Sequence, residues 1–224
     1  MSVDTIREVV MVLVPMVLAL SVHEYSHARV AFWLGDRTAK SMGRLTLNPL
    51  AHVDPIGTLL LPIITVVTGS NFFIGWAKPV PVNPVSFSRR FSMRKGMMIT
   101  AAAGPASNIV FALASIVAFG LCLRFGMTYE HALLQLLVRL IQINFVLAIF
   151  NLIPLPPLDG GKILSGFAGQ GILRGLDYLE RNPLIAFVGL IVLLNTGVLG
   201  AIIRPPMMFL LGIADVLIKL IAGA

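Results

Sequence analysis

Charge is what this sequence has least of. Only 12% of its 224 residues are Asp, Glu, Lys or Arg, about half the share of an ordinary soluble domain. Cysteine is nearly absent too. Cys122 stands alone in an uncharged run, which excludes an internal disulfide and a thiolate zinc cluster and leaves a small, buried apolar residue. There is no internal repeat, no low-complexity tract, no long linker and no polar stretch long enough for a soluble domain of ordinary size between the apolar runs. The start of the chain lacks a signal-peptide shape, because Asp4, Arg7 and Glu8 mix the charges and the following apolar run leads to no small-residue cleavage site. What is there is hydrophobic: 57% of the residues, with a mean hydropathy of +0.91. These numbers describe an integral membrane protein. The net charge is +7, but the basic residues sit between apolar runs, so they read as topology signals and not as a nucleic-acid surface.

A spanning helix needs about 20 apolar residues. Candidates run over 9–34 (ended by Gly35-Asp36), 96–123, about 133–153, about 183–203 and, shorter, 206–222, which carries Asp215 and Lys219. The run 55–77 holds Pro55, Pro62 and three glycines, a poor straight helix that either spans or dips in and returns. Segments 44–53 and 78–85 alternate and read as short extended or strand-like pieces, the second too rich in proline to be helical. Between Arg37 and Lys95 lie eight basic residues and one acid, Asp54, on both sides of 55–77. Positive flanks face the cytoplasm, which favours a re-entrant 55–77 and an N-terminus outside. The expected architecture is all-α and polytopic: about five to six transmembrane helices, with a re-entrant or short β segment between the first two core helices. It forms a single domain over 1–224, with a catalytic core over about 8–165 and additional C-terminal helices over about 183–222.

One cluster stands out against that background. His23, Glu24 and His27 follow fourteen uncharged residues, Val9 to Val22. The H-E-x-x-H spacing puts both imidazoles on one helix face, able to share a zinc ion, with Glu24 placed to act as general base toward a water. The plain alternative is a polar cluster that glues helices together. Ionisable groups in hydrocarbon cost about 2.5–3.5 kcal/mol each on insertion scales, so a functional site is the better reading. A catalytic zinc takes a third protein ligand. His52, Asp54, His131, Asp177 and Asp215 are available, but Asp159 differs: it follows Pro154, Pro156 and Pro157 and precedes Gly160-Gly161. Broken backbone at membrane depth is tolerated only against protein or a water-filled cavity, and in this topology Asp159 ends level with His27.

These residues resemble the site-2 proteases, the intramembrane zinc metalloproteases, over most of 20–165. The resemblance rests on "HEYSH" at 23–27, "AAAGPASN" at 101–108 and "NLIPLPPLDGGKIL" at 151–164. The stretches "GRLTLNPLAHVDPIGTLLLP" and "GWAKPVPVNP" resemble its compact prokaryotic branch, without a PDZ insertion or an appended CBS domain. The resemblance implies one zinc per chain on His23, His27 and Asp159, Glu24 as the catalytic base, and Asn151 as the residue that holds the substrate backbone or polarises the scissile carbonyl. Gly104-Pro105 would be a packing feature. The expected function is a zinc-dependent endopeptidase cutting transmembrane segments of protein or peptide substrates among membrane lipids, with no nucleic-acid partner. It would lie in a prokaryotic cell membrane, with its active site nearer the cytoplasmic side. A non-catalytic membrane binding protein of the same fold and a metal transporter are the alternatives. The intact Glu24 and complete ligand set disfavour the first, and the absence of repeated halves disfavours the second.

Overall fold

The computed structural model describes residues 2–69 and 75–223. Among them the regular structure is helical, with no strand. Helix α1 (Val3–Trp33) starts earlier than the charge pattern suggests, because the Ser2 hydroxyl caps it by accepting from the Thr5 N–H. It ends where Gly35 takes a φ of 112°, a conformation open to glycine. A short α2 (Thr38–Ser41) follows.

The stretch 44–53 forms no strand. Asn48 caps a 3-10 turn at Pro49–Ala51 instead. A π-helical turn, Pro55–Leu60, is capped by the Asp54 carboxylate, which accepts from the Ile56 and Gly57 N–H groups, and leads into α3 (Leu61–Thr68). Gly69, left-handed, ends it. Residues 70–74, part of the 55–77 run, lie outside the described residues. When the chain resumes, the Trp76 N–H donates to the Gly57 carbonyl and the Thr58 hydroxyl to the Trp76 carbonyl. The run therefore doubles back on its own start. Residues 75–83 continue as irregular, extended backbone with no ladder partner, closing on a 3-10 turn at Pro84–Ser86. Of the two expectations for this region, the return is present and the β segment is not. Pro79, Pro81 and Pro84 leave too few N–H groups for a ladder.

Helix α4 (Met93–Arg124) and α5 (Ala132–Asn151) match the expected spans. Asp159 opens α6 (Asp159–Phe167), and α7 (Gln170–Arg181) is an amphipathic helix between the third and fourth spans. Helix α8 (Pro183–Asn195) is shorter than expected, and α9 (Val198–Ala222) is longer. The boundary falls at Gly197, φ 76°, and not at Pro205-Pro206, which lie inside α9. A left-handed glycine ends a helix cleanly, whereas prolines are tolerated within apolar helices when neighbours satisfy the freed backbone groups.

Helices α1, α4, α5 and α9 are long and apolar enough to cross a membrane, and α8 and the π-turn with α3 are shorter apolar helices. Helix α4 is central, packed against α1, α5, α6 and α9. Ala112, Ile116, Phe119, Leu134, Ile141 and Phe145 fill the α4–α5 seam, closed by Ala214 of α9. Far along α1 and α5, Arg139 donates to Glu8 at 3.0 Å and Arg7 to Gln135 at 2.7 Å, which fixes the register of the two helices at the end away from Asn151.

Candidate metal centre

Two buried stripes meet between α1 and α4. On α1, Met16, Leu20, His23, His27 and Ala31 recur at helical spacing. On α4, Thr100, Gly104 and Asn108 stand four apart and all are buried. Gly104 faces the two histidines directly. A Cβ there would lie 2.4 Å from His27 Nε2 and 2.6 Å from His23 Cε1, so only glycine leaves space for the two rings. This is close packing, as the sequence suggests, but the surface packed against it is the pair of imidazoles.

Each imidazole is held by its other nitrogen. His27 Nδ1 is 2.7 Å from the Thr100 carbonyl, and His23 Nδ1 is 2.6 Å from Asn108 Oδ1. A carbonyl only accepts, so His27 Nδ1 carries the proton. For His23 the assignment runs through two amides. Asn144 Nδ2 donates to the Leu140 carbonyl, which makes Asn144 Oδ1 the acceptor for Asn108 Nδ2, which in turn presents Asn108 Oδ1 to His23. Asn108 Nδ2 also donates to the Ala19 carbonyl. Both asparagines are fully buried. In the neutral imidazoles the two Nε2 atoms are therefore the bare ones, 3.0 Å apart.

Asp159 completes the cluster from 132 residues away in sequence. The prolines at 154, 156 and 157 stop α5, and the chain folds back so tightly that a Cβ on Gly160 would lie 2.2 Å from the Ile153 carbonyl. That fold points Asp159 Oδ2 at both imidazoles, 3.2 Å from each Nε2. This oxygen is buried without a hydrogen-bond partner. With neutral imidazoles and an ionised carboxylate, three acceptor atoms converge here, an arrangement that repels itself unless a cation lies between. Tetrahedral zinc with ligands at about 2.0–2.1 Å has ligand–ligand edges of about 3.3 Å. The donor set and its spacing therefore fit zinc, and these three residues form a group able to hold a metal.

A cavity of about 260 Å³ opens on the cluster, lined by Glu24, Asn151 and Lys162 among others. Glu24 Oε2 accepts from the Val80 N–H at 2.8 Å. Asn151 Nδ2 donates to the Leu147 carbonyl of its own helix, and Lys162 Nζ is 4.0 Å from Asp159 Oδ1. The other candidate ligands are used elsewhere. Asp54 and His131 cap helices, His52 Nε2 meets the Thr46 carbonyl, and Asp215 pairs with Lys219 at 2.7 Å. Asp177 lines a groove beside α8 that adjoins the metal cavity at Pro79, Met97, Pro157 and Lys162. Asn108, Thr100 and Lys162 were not singled out from the sequence. The four-residue spacing of Thr100, Gly104 and Asn108 was the signal available for the first two.

Comparison with known proteins agrees with this chemistry. "Putative zinc metalloprotease YwhC" of Bacillus subtilis is 37% identical over 185 residues, covering 80% of this chain and 78% of the relative. The chain belongs to peptidase family M50, the site-2 protease family, and is a metalloprotease of that family. The profile of peptidase family M50 matches residues 121–195, which include Asn151 and Asp159. "Putative zinc metalloprotease Rip2" of Mycolicibacterium smegmatis is 29% identical over 197 residues, covering 85% of this chain and 72% of the relative. The Rip2 of Mycobacterium tuberculosis strain Erdman is 29% identical over 177 residues, with 79% and 64% coverage. No solved structure matches the chain at comparable stringency.

Proposed function

We propose that this M50 protein is an intramembrane zinc endopeptidase that cuts transmembrane segments of membrane proteins, with one zinc held by His23, His27 and Asp159. The observation that carries this reading is the convergence of three ligand atoms from His23, His27 and Asp159 beside Glu24, with both histidines on a helix long enough to cross a membrane. Zinc bound there would supply Lewis-acid polarisation of the scissile carbonyl and acidify a water.

The chain's own residues do the rest. Glu24 accepts the proton of the attacking water on Oε1, the oxygen not engaged by Val80, and returns it to the leaving amine. Asn151 retains a second amide N–H, since only one is used by Leu147, and donates it to the carbonyl oxygen as charge develops there. An uncharged donor does this without a burial penalty for charge. A helical substrate hides its peptide bonds, so it unwinds locally and pairs with the extended 78–83 segment. The basic flanks of 55–77 favour a site nearer the cytoplasmic side of a prokaryotic cell membrane.

Reconstituted protein with a transmembrane reporter tests this. Glu24→Gln is expected to abolish cleavage while zinc stays at one per chain. Cleavage retained by that variant refutes the base, and purified chelator-free protein without stoichiometric zinc refutes the metal site.

A further inference from the structure

Two buried charges take no part in the chemistry above. Asp36 and Arg44 are 1% and 7% exposed, and neither forms an ion pair among the described residues. Buried charge is costly unless hydrogen-bonded, and each of the two reaches the same piece of backbone, although Arg44 Nε has no partner among the described residues. Arg44 donates to the Lys78 carbonyl at 2.6 Å and to the Pro79 carbonyl at 3.2 Å. Asp36 Oδ2 accepts from the Asn83 N–H at 2.7 Å, while its Oδ1 accepts from the backbone N–H and hydroxyl of Thr38. Between these anchors the Val80 N–H donates to Glu24. The His52 carbonyl takes the Lys78 N–H. Segment 78–83 is thus a strap pinned at both ends by buried charges and tied at its middle to Glu24. Proline leaves it no ladder of its own, so these side chains, the His52 carbonyl and the packing of Val82 against Ala31, Leu34 and Phe87 set its position.

We propose that Asp36 and Arg44 are positioning residues for the reaction: they fix the strap so that the Val80 N–H orients the Glu24 carboxylate, leaving Oε1 free. They also fix the register of the strap's open edge. Val80 and Val82 line the metal cavity, and among the described residues none engages the Val82 N–H or the Val80 carbonyl. These two free groups border the cavity, where an unwound substrate can pair. The inference rests on Glu24 as the base, and it adds that base orientation and substrate register are set by one element.

Three variants test it in the full-length, zinc-loaded protein. Val80→Pro removes one N–H from a segment that already holds Pro79 and Pro81, and is expected to lower kcat roughly tenfold with KM unchanged, the effect of losing one hydrogen bond to a charged group. Asp36→Asn and Arg44→Gln are expected to lower kcat by a similar factor and also raise KM, with zinc stoichiometry unchanged. Asp36→Asn combined with Val80→Pro is expected to lower kcat no further than the worse single variant, because both act through the strap. Hydrogen exchange supplies a readout independent of turnover: the Val80 amide, which Asp36 does not touch, exchanges faster in Asp36→Asn. Native kcat and native Val80 protection in the anchor variants overturn the proposal. So do multiplicative losses in the double variant, or loss of zinc from either anchor variant. If Asp36→Asn does not fold, Val80→Pro carries the test alone, and native kcat there overturns it. Should Glu24→Gln still cut, the base assignment fails whatever the strap variants do. Should it be inactive while the strap variants turn over normally, only the strap proposal fails.

Discussion

At the scale of residues, the site depends on side chains that never touch a substrate. Asn108 fixes the tautomer of His23 and is itself fixed by Asn144. Replacing Asn108 with Leu leaves the His23 Nδ1–H buried without an acceptor and frees the ring to turn. Second partners of metal-bound histidines are worth about 10–100-fold in metal affinity. Asn108→Leu is therefore expected to weaken zinc binding by about that factor, measured by competition with a chromophoric chelator. Unchanged affinity would mean that the ring is held by packing alone. The residues of the H-E-x-x-H motif were legible in the sequence because their spacing is local. Asn108 was not, because its value comes from facing His23 across a helix interface, 85 positions away.

At the scale of elements, the close approach of α1 and α4 is decided at Gly104. Gly104→Ala places a methyl group where the imidazoles sit, and neither ring can retreat without leaving its Nδ1 acceptor. The expected outcome is loss of stoichiometric zinc and of cleavage, with helical circular dichroism retained. Zinc bound at native stoichiometry in that variant would show that the helices separate at little cost. The α8–α9 boundary gives a second test. Gly197 is left-handed with open space around a would-be Cβ, so Gly197→Ala is expected to destabilise the junction by about 1 kcal/mol from backbone strain alone. It is measured as the shift in a denaturant unfolding midpoint, with zinc content unaffected. Hydropathy revealed that these helices exist. It misplaced their junction because two prolines look like a stronger break than one glycine, and neighbouring helices reverse that order.

At the scale of the whole molecule, the three ligands join α1 to α6 across 132 residues. A metal bound only by the folded chain stabilises it by mass action, about 2.7 kcal/mol at a free concentration one hundred times the dissociation constant. Chelation is therefore expected to lower the thermal unfolding midpoint of the native protein and to leave that of Asp159→Asn unmoved. Equal shifts in both would place the stabilising metal elsewhere. The same long-range closure explains the doubled-back segment 55–77. Its return brings Val80 to Glu24, 56 positions away in sequence.

The sequence by itself determined the membrane class, the long apolar helices α1, α4 and α5, the helical face that carries His23 and His27, and Asp159 as the carboxylate most eligible to join them. Those features follow from composition, from 3.6-residue periodicity and from the dense prolines at 154, 156 and 157 before Gly160-Gly161, all of which act over a few turns of chain. Tertiary structure alone decided that Asp159 Oδ2 lies 3.2 Å from both imidazoles, that Asn108 and Thr100 orient them, and that Asp36 and Arg44 anchor the strap. Those relations join residues tens of positions apart, and their signals in sequence are single polar side chains. Only packing gives such residues a partner, because the burial that makes a lone amide or carboxylate costly also forces it to find one.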